Sequence, residues 1–130
     1  MEDLMKIYTD GSCSRKGDGG HSFVVDSEGE VCFYHYASSL RTTNNREELK
    51  AVIAALKLAD QDDTIITDSM YVINGIRGIR KKNLDLWEEF DSVFDGHRIA
   101  WVRGHDGCYW NEVADILAKS GIVWDFRKKV

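Results

Sequence analysis

Near Asn45 the spacing of hydrophobic residues changes from the period of a β-strand to the period of an α-helix. This change limits the folds that the chain can adopt. Before it, three segments have the pattern of strands separated by a glycine-rich loop and a Ser-Glu-Gly turn; they run from Leu4 to Asp10, from His21 to Asp26 and from Glu30 to Ala37. Strands that follow one another through short connections pair antiparallel. The first third of the chain therefore predicts three antiparallel strands.

After the change, apolar residues recur at i, i+3, i+4 and i+7, the spacing of one helix face. They lie in TNNREELKAVIAALKLAD and predict an amphipathic helix from about Asn45 to Ala59, followed by a β-branched strand from Thr64 to Thr67. A strand, a crossover helix and a second strand form a parallel unit, so the late strand can lie beside the first one. The remaining segments predict a helix from Ser69 to about Ile76, a helix from about Leu84 to Phe94, a strand in RIAWVRG and a final helix in NEVADILAKSG.

Together these segments predict a single α/β domain over residues 1–130. It has a five-stranded mixed sheet, three antiparallel strands and then two parallel ones, flanked by helices. The chain is 43% hydrophobic but has no apolar run of membrane-spanning length, and MEDLMKIY lacks the features of a secretion signal. We therefore expect a soluble cytoplasmic protein with no membrane partner, acting as a monomer.

The cysteines bear on which metal or redox chemistry is open to the chain. Cys13, Cys32 and Cys108 are odd in number and form no Cys-x-x-Cys pair, which favours free thiols in a reducing compartment. His105 and Cys108 have the spacing of half a zinc site, but no second pair of ligands accompanies them. Neither a disulfide framework nor a structural zinc ion is expected.

Two strand-like runs end in Thr-Asp followed by a small residue, in YTDGSC and in TDSMY. If the two strands are parallel neighbours, Asp10 and Asp68 both lie at strand carboxyl ends, where open α/β sheets bind ligands. Each has a simpler interpretation. Asp10 with Gly11 has the signature of a hairpin turn, and Asp68 could cap the helix that follows it.

Two further acids can reach the same crevice. Successive helical residues turn by about 100°, so Glu47 points away from the buried stripe centred on Leu49 and is expected in solvent, whereas Glu48 lies on the border of that stripe. Asp115 lies among apolar residues of the last helix, near a packed face. Taken alone, Glu48 is an ordinary helical acid, and only the convergence of all four acids gives it a function.

Four carboxylates in one crevice repel one another, because a pair about 4 Å apart costs on the order of 4 kcal/mol at an effective dielectric constant of 20. Oxygen-only ligands suit hard cations such as Mg²⁺ or Mn²⁺. Two such ions would bring the net charge of −5 close to neutral, so the acidic composition does not exclude a nucleic-acid partner.

Five motifs, YTDGSC, RTTNNREEL, TDSMYV, KNLDLW and WVRGHDGCYWNEVADILA, resemble in order and spacing those of type 1 ribonuclease H of the bacterial kind, from about Lys6 to Lys119. The resemblance implies a ribonuclease H-like fold and an endoribonuclease that cuts the RNA strand of RNA–DNA hybrids with two Mg²⁺ ions, leaving 5′-phosphate and 3′-hydroxyl ends. It assigns the metal ligands to the same four acids, Asp10, Glu48, Asp68 and Asp115, with Asp10 bridging both ions. It also gives His105 a catalytic role, in proton transfer or product release; without the family His105 would be an exposed loop histidine.

The resemblance places substrate contacts at Cys13, Arg41, Thr43, Asn44 and Asn45. Small polar groups of this kind can recognise 2′-hydroxyls across a wide minor groove without reading base sequence. Arg41 and Arg46 could instead be ordinary surface charges. The basic run Arg77, Arg80, Lys81 and Lys82 could contact phosphates or form a solvated helix end.

The chain departs from the family in its basic regions. Only GIRGIRKK stands where many relatives carry a longer basic protrusion, so hybrid affinity is expected to be lower and salt-sensitive. We expect no separate hybrid-binding domain ahead of Met1. One alternative is a catalytically silent hybrid-binding module, against which the four intact acids argue. A second is another two-metal nuclease of the same fold. A serine hydrolase built on Ser12 and His105 lacks a Gly-x-Ser-x-Gly motif.

Overall fold

The computed structural model describes residues 4–28, 30–104 and 113–114. Its elements are β1 Lys6–Cys13, β2 Gly19–Ser27, β3 Glu30–Ser39, α1 Asn44–Leu58, β4 Thr64–Thr67, α2 Met70–Ile76, α3 Leu84–Val93 and β5 Arg98–Trp101. Each element predicted between residues 4 and 104 has a counterpart here. Of the predicted last helix, only Val113 and Ala114 are described, and both are helical.

The five strands form one sheet in the order β3-β2-β1-β4-β5. Strand β1 pairs antiparallel with β2, and β2 with β3, while β1 pairs parallel with β4, and β4 with β5. The prediction of three antiparallel strands followed by two parallel ones is confirmed. The long helix α1 is the crossover between β1 and β4, as expected for a strand–helix–strand unit.

Strand β1 is longer than its sequence pattern predicted. Its parallel pairing with β4 ends at Tyr8, opposite Ile66, but its antiparallel pairing with β2 continues from Asp10, opposite Ser22, to Cys13, opposite Gly19. The interpretation of Asp10 and Gly11 as a hairpin turn is therefore wrong. Asp10 lies inside β1, just beyond the point where β1 and β4 separate.

The main core lies between one face of the sheet and the helices α1 and α3. Ile7 and Val25 of the sheet meet Leu49 and Val52 of α1, and Trp87 of α3 closes the cluster. Side chains alternate between the faces of a strand, so Val24 and its neighbours face the other way, where they pack against Ala114. Among the described residues, no helix is both long and apolar enough to cross a bilayer.

Candidate active site

Three of the four predicted acids converge in the folded chain. Asp10 comes from β1, Glu48 from the start of α1, and Asp68 from the residue directly after β4. One carboxylate oxygen of each lies within 4.8 Å of the corresponding atoms of the other two. Residues separated widely in sequence thus form one acidic cluster, which we call the Asp10–Glu48–Asp68 cluster. The fourth acid, Asp115, and His105 lie outside the described residues.

Gly11 holds two members of this cluster. Its backbone N–H donates to Glu48 Oε1 at 2.6 Å and to Asp10 Oδ1 at 3.0 Å. Strand β1 passes so close to α1 that a Cβ atom on residue 11 would lie 2.6 Å from the Glu47 carbonyl oxygen, and closer still to the carbon and nitrogen of the Glu47–Glu48 peptide bond. Only glycine allows this approach, and the approach brings Glu48 to Asp10.

Asp68 is fixed from the side of β5. The indole nitrogen of Trp101 donates to the Asp68 backbone carbonyl at 3.1 Å, and a Cβ atom on Gly104 would lie 2.8 Å from Asp68 Oδ2. The cap of α2 is Ser69, whose hydroxyl accepts from the Val72 N–H at 3.2 Å. The interpretation of Asp68 as the helix cap is therefore wrong, and its carboxylate is available to the cluster.

Ionisation of Glu48 is strongly unfavourable in this cluster. Burial, and then the negative charges of Asp10 and Asp68, raise the pKa of Glu48 to about 11. At neutral pH without a bound cation, Glu48 therefore holds a proton that relieves the repulsion. The donor set consists of carboxylate oxygens alone, which fits a hard divalent cation such as Mg²⁺ or Mn²⁺, and such a cation can replace that proton.

The position of Glu47 corrects the sequence prediction. It was expected in solvent, but its side chain is 0% exposed. The helical-wheel argument considered only the apolar stripe of α1, whereas the first turn of α1 is also covered by β2 and by the residues before the helix. Glu47 and Lys50 form an i,i+3 ion pair at 3.0 Å. Their spacing is the one feature of the sequence that could have indicated a partner for Glu47.

Three donors surround the Glu47 carboxylate. Thr42 Oγ1 donates to it at 2.6 Å, Lys50 Nζ lies at 3.0 Å and His21 Nδ1 at 3.3 Å. Burial alone would raise the pKa of Glu47, but the hydrogen bonds from His21, Thr42 and Lys50 outweigh it and lower the pKa to about 2. Sequence analysis missed this buried, ionised residue next to Glu48.

The residues predicted to contact substrate lie beside the cluster, around the start of α1. Thr43 is the N-cap of α1, and its hydroxyl accepts from the Arg46 N–H at 3.2 Å. Asn44, Asn45 and the positive-φ residue Arg41 are exposed. Cys13 is half-buried, and its thiol donates to the Thr42 carbonyl at 3.3 Å, which ties the end of β1 to this segment.

Two of the basic residues are committed to structural contacts. Arg80 donates to the Gly75 carbonyl at 2.8 Å and to Asp91 at 2.6 Å, and its guanidinium lies 4.5 Å from the centre of the Trp87 ring. Arg46 forms a bidentate pair with Asp85 at 2.9 and 3.0 Å. The exposed side chains Arg77, Lys81 and Lys82 complete the basic run.

Comparison with known proteins agrees with this fold. The RNase H family model matches residues 2–123. The chain is 43% identical to the ribonuclease H of Ehrlichia chaffeensis over 140 aligned positions, covering 90% of this chain and 93% of the relative. It is 41% identical to that of Polynucleobacter asymbioticus, with 89% and 88% covered, and 39% identical to that of a Janthinobacterium species, with 92% and 96% covered.

Proposed function

Because this chain belongs to the ribonuclease H family and is a ribonuclease H enzyme, we propose that it hydrolyses the RNA strand of RNA–DNA hybrids with two divalent metal ions, leaving 5′-phosphate and 3′-hydroxyl ends. The observation that carries this proposal is the meeting of Asp10, Glu48 and Asp68 within 4.8 Å. No nucleophilic side chain is needed for this chemistry.

The metal ligands in this proposal are Asp10, Glu48, Asp68 and Asp115. Support for Asp115 comes from its neighbour, because the Ser22 hydroxyl donates to the Ala114 carbonyl at 2.5 Å and Ser22 is the cross-strand partner of Asp10. When bound, two Mg²⁺ or Mn²⁺ ions would activate a water and neutralise the charge on the departing oxygen. The residues of the chain hold and orient this site.

Each described ligand has its own support. The Gly11 N–H restrains Glu48 and Asp10 together, and Trp101 restrains the backbone of Asp68. Glu48 would release its proton when a cation binds, since the positive charge of the cation would outweigh the burial and the repulsion from Asp10 and Asp68 that raise its pKa. We assign to His105 an assisting role in proton transfer or product release.

Substrate contacts are proposed at the segment before and at the start of α1, with Arg41, Thr43, Asn44 and Asn45, and at Cys13. This segment is exposed and adjoins the acidic cluster through Glu48, so a strand bound there presents its phosphodiester to the metal ligands. Small polar side chains favour recognition of 2′-hydroxyls, which distinguishes RNA from DNA.

The test compares matched RNA–DNA, RNA–RNA and DNA–DNA duplexes, each with Mg²⁺ or with excess chelator. We expect cleavage of the RNA in the hybrid alone, only with metal, and labelling of the new ends should show 5′-phosphates. Binding of the hybrid without cleavage would instead indicate a silent binding module. Cutting of the DNA–DNA duplex would indicate another nuclease of this fold.

We also propose that residues 1–130 form one domain that acts as a monomer in the cytoplasm. Continuous packing of α1 against the β1–β2 side and the β4 side of the sheet supports a single folding unit. Light scattering after gel filtration measures the mass in solution, and a dimer mass would contradict the monomer.

A further inference from the structure

Glu47 is a fully buried carboxylate that belongs to no proposed catalytic set. Its three partners come from three parts of the chain: His21 from β2, Thr42 from the segment before α1, and Lys50 from α1 itself. An isolated buried charge is costly, so such a group persists only where its partners are held in place. The carboxylate therefore joins the first turn of α1 to the sheet.

This junction lies directly beside the acidic cluster. The peptide bond between Glu47 and Glu48 rests against Gly11, and the Gly11 N–H holds the Glu48 carboxylate at 2.6 Å. Any shift of the Glu47 backbone therefore moves Glu48 relative to Asp10, which receives a hydrogen bond from the same N–H. The position of one metal ligand depends on the contacts of its neighbour.

The same carboxylate also restrains the proposed substrate segment. Thr42, which donates to Glu47, also donates its N–H to the Gly17 carbonyl at 2.8 Å and accepts from the Cys13 thiol at 3.3 Å. Gly19 leaves the space for this packing, because a Cβ atom there would lie 3.2 Å from Glu47 Cγ. One buried group thus connects the start of α1, the end of β1 and the loop between β1 and β2.

We propose that Glu47 is a positioning residue for the metal site: its buried carboxylate, held by His21, Thr42 and Lys50, fixes the start of α1 so that Glu48 can bind metal together with Asp10 and Asp68. This inference rests on the metal site of the proposed function, but not on the identity of the substrate.

The test replaces Glu47 by glutamine, which keeps the size of the side chain and removes the negative charge that pairs with Lys50 and accepts hydrogen bonds from His21 and Thr42. Binding of Mn²⁺ to the free protein is titrated by electron paramagnetic resonance, without nucleic acid and well below the unfolding temperature of each variant. We expect the Mn²⁺ dissociation constant to rise about 10-fold, the lower end of the effect of losing a group that orients a metal ligand.

The matched control is Asp85→Asn, which breaks the ion pair made by Arg46. Arg46 lies in the same helical turn as Glu47, but this pair is directed towards α3. We expect its Mn²⁺ dissociation constant to stay within about 2-fold of the native value, since exposed ion pairs contribute little. A rise equal to that of Glu47→Gln would overturn the proposal, because it would show a general effect of loosening α1.

A second variant serves if Glu47→Gln does not fold. Thr42→Val keeps the charge and removes only the hydroxyl that donates to Glu47, and it should weaken Mn²⁺ binding by a smaller factor. A lowered unfolding temperature with unchanged Mn²⁺ binding in the folded variants would overturn the proposal, leaving Glu47 a purely stabilising residue. Native protein that binds Mn²⁺ but cuts no hybrid would refute the proposed function alone.

Discussion

Glu47 and Glu48 are neighbours in sequence with opposite acid–base behaviour. Donors from three segments lower the pKa of Glu47 to about 2, whereas burial beside two carboxylates raises the pKa of Glu48 to about 11. Burial is common to both, so the sign of the shift is decided by whether the partners are donors or anions. Glu47 therefore contributes stability above its ordinary pKa, and this contribution is lost as pH falls towards 2.

Glu48 makes the stability of the metal-free protein depend on pH in the opposite sense. The folded state keeps a proton on Glu48 that the unfolded state has released above a pH of about 4.5, so stability falls as pH rises through the range up to about 11. One proton gives a slope of up to about 1.4 kcal/mol per pH unit. This slope is measured by urea unfolding in the presence of chelator, in a series of buffers from weakly acidic to weakly basic pH.

Glu48→Gln should flatten this pH dependence, because glutamine cannot release a proton. The control is Glu88→Gln, at an exposed position of α3, which should keep the native slope. Parallel curves for native protein and Glu48→Gln would contradict the proposed protonation of Glu48.

Asp10→Asn should lower the rate of Mg²⁺-dependent cleavage by about 10²–10³-fold, because it removes a carboxylate proposed to hold the metal ions that stabilise charge in the transition state. The fold should remain, since asparagine is nearly isosteric and its introduction removes a negative charge from the cluster. Single-turnover cleavage of a labelled hybrid measures the loss, and circular dichroism measures the fold. Full activity in the folded variant would remove Asp10 from the mechanism.

At the level of helices and strands, the local hydrophobic pattern predicted which elements form more accurately than it predicted the residues where they begin and end. Strand β4 has the predicted bounds because its β-branched run is short and flanked by aspartates. Strand β1 extends to Cys13 because Ser12 and Cys13 pair with glycines of β2, a contact that no local pattern encodes. The burial of Glu47 was missed for the same reason, since it depends on what covers the first turn of α1.

The close crossing of β1 and α1 leaves no room for a side chain at Gly11. Gly11→Ala should lower the free energy of unfolding by about 3 kcal/mol, because the new methyl group meets backbone atoms that cannot move without shifting α1. The control is Gly78→Ala, where φ is +109° and, apart from the two neighbouring residues, no atom of the described part of the chain lies within 4 Å of the added Cβ. It should cost only the backbone strain, about 1 kcal/mol.

Urea unfolding measures both glycine variants, and Mn²⁺ titration of folded Gly11→Ala reports on the cluster. Equal losses of stability for the two variants would contradict the prediction, because they would mean that α1 moves away from the added methyl group at no cost in free energy.

In the connection between α2 and α3, we expect Arg80 to have a structural role and Lys81 and Lys82 to contact nucleic acid. Arg80→Ala should cost about 1–2 kcal/mol of stability, because it removes a cation–π contact with Trp87 and a hydrogen bond to Gly75. It should leave the salt dependence of hybrid binding unchanged. The double variant Lys81→Ala, Lys82→Ala should do the reverse, lowering the slope of log affinity against log salt by up to about 2.

Fluorescence anisotropy of a labelled hybrid, at several salt concentrations, measures these slopes in a folded, cleavage-deficient Asp10→Asn background. If Arg80→Ala changed the slope and the double lysine variant did not, the phosphate contact would belong to Arg80 and the prediction would be wrong.

For the whole molecule, the order of elements was predictable because each connection follows a general rule of handedness or pairing. The convergence of Asp10, Glu48 and Asp68 followed from that topology, since β1 and β4 had to be parallel neighbours. The metal roles of these acids and of Asp115, and the assisting catalytic role of His105, stay predictions.

Metal binding should stabilise the whole fold, because the cation binds the assembled cluster and not the unfolded chain. At a Mg²⁺ concentration 100 times the dissociation constant, the gain is about 2.7 kcal/mol. In thermal unfolding, the midpoint temperature of the native protein should rise with increasing Mg²⁺, whereas that of Asp10→Asn should hardly change. An equal rise in both would indicate general salt stabilisation.

The parallel pairing of β1 with β4 has a consequence during synthesis. Asp10 leaves the ribosome well before Asp68, and at about 5–20 residues per second the two are separated by several seconds of translation. Throughout that interval the nascent chain lacks one side of its acidic cluster. If the proposed metal site is correct, a growing polypeptide cannot cut an RNA–DNA hybrid until Asp68 has emerged and β4 has docked against β1.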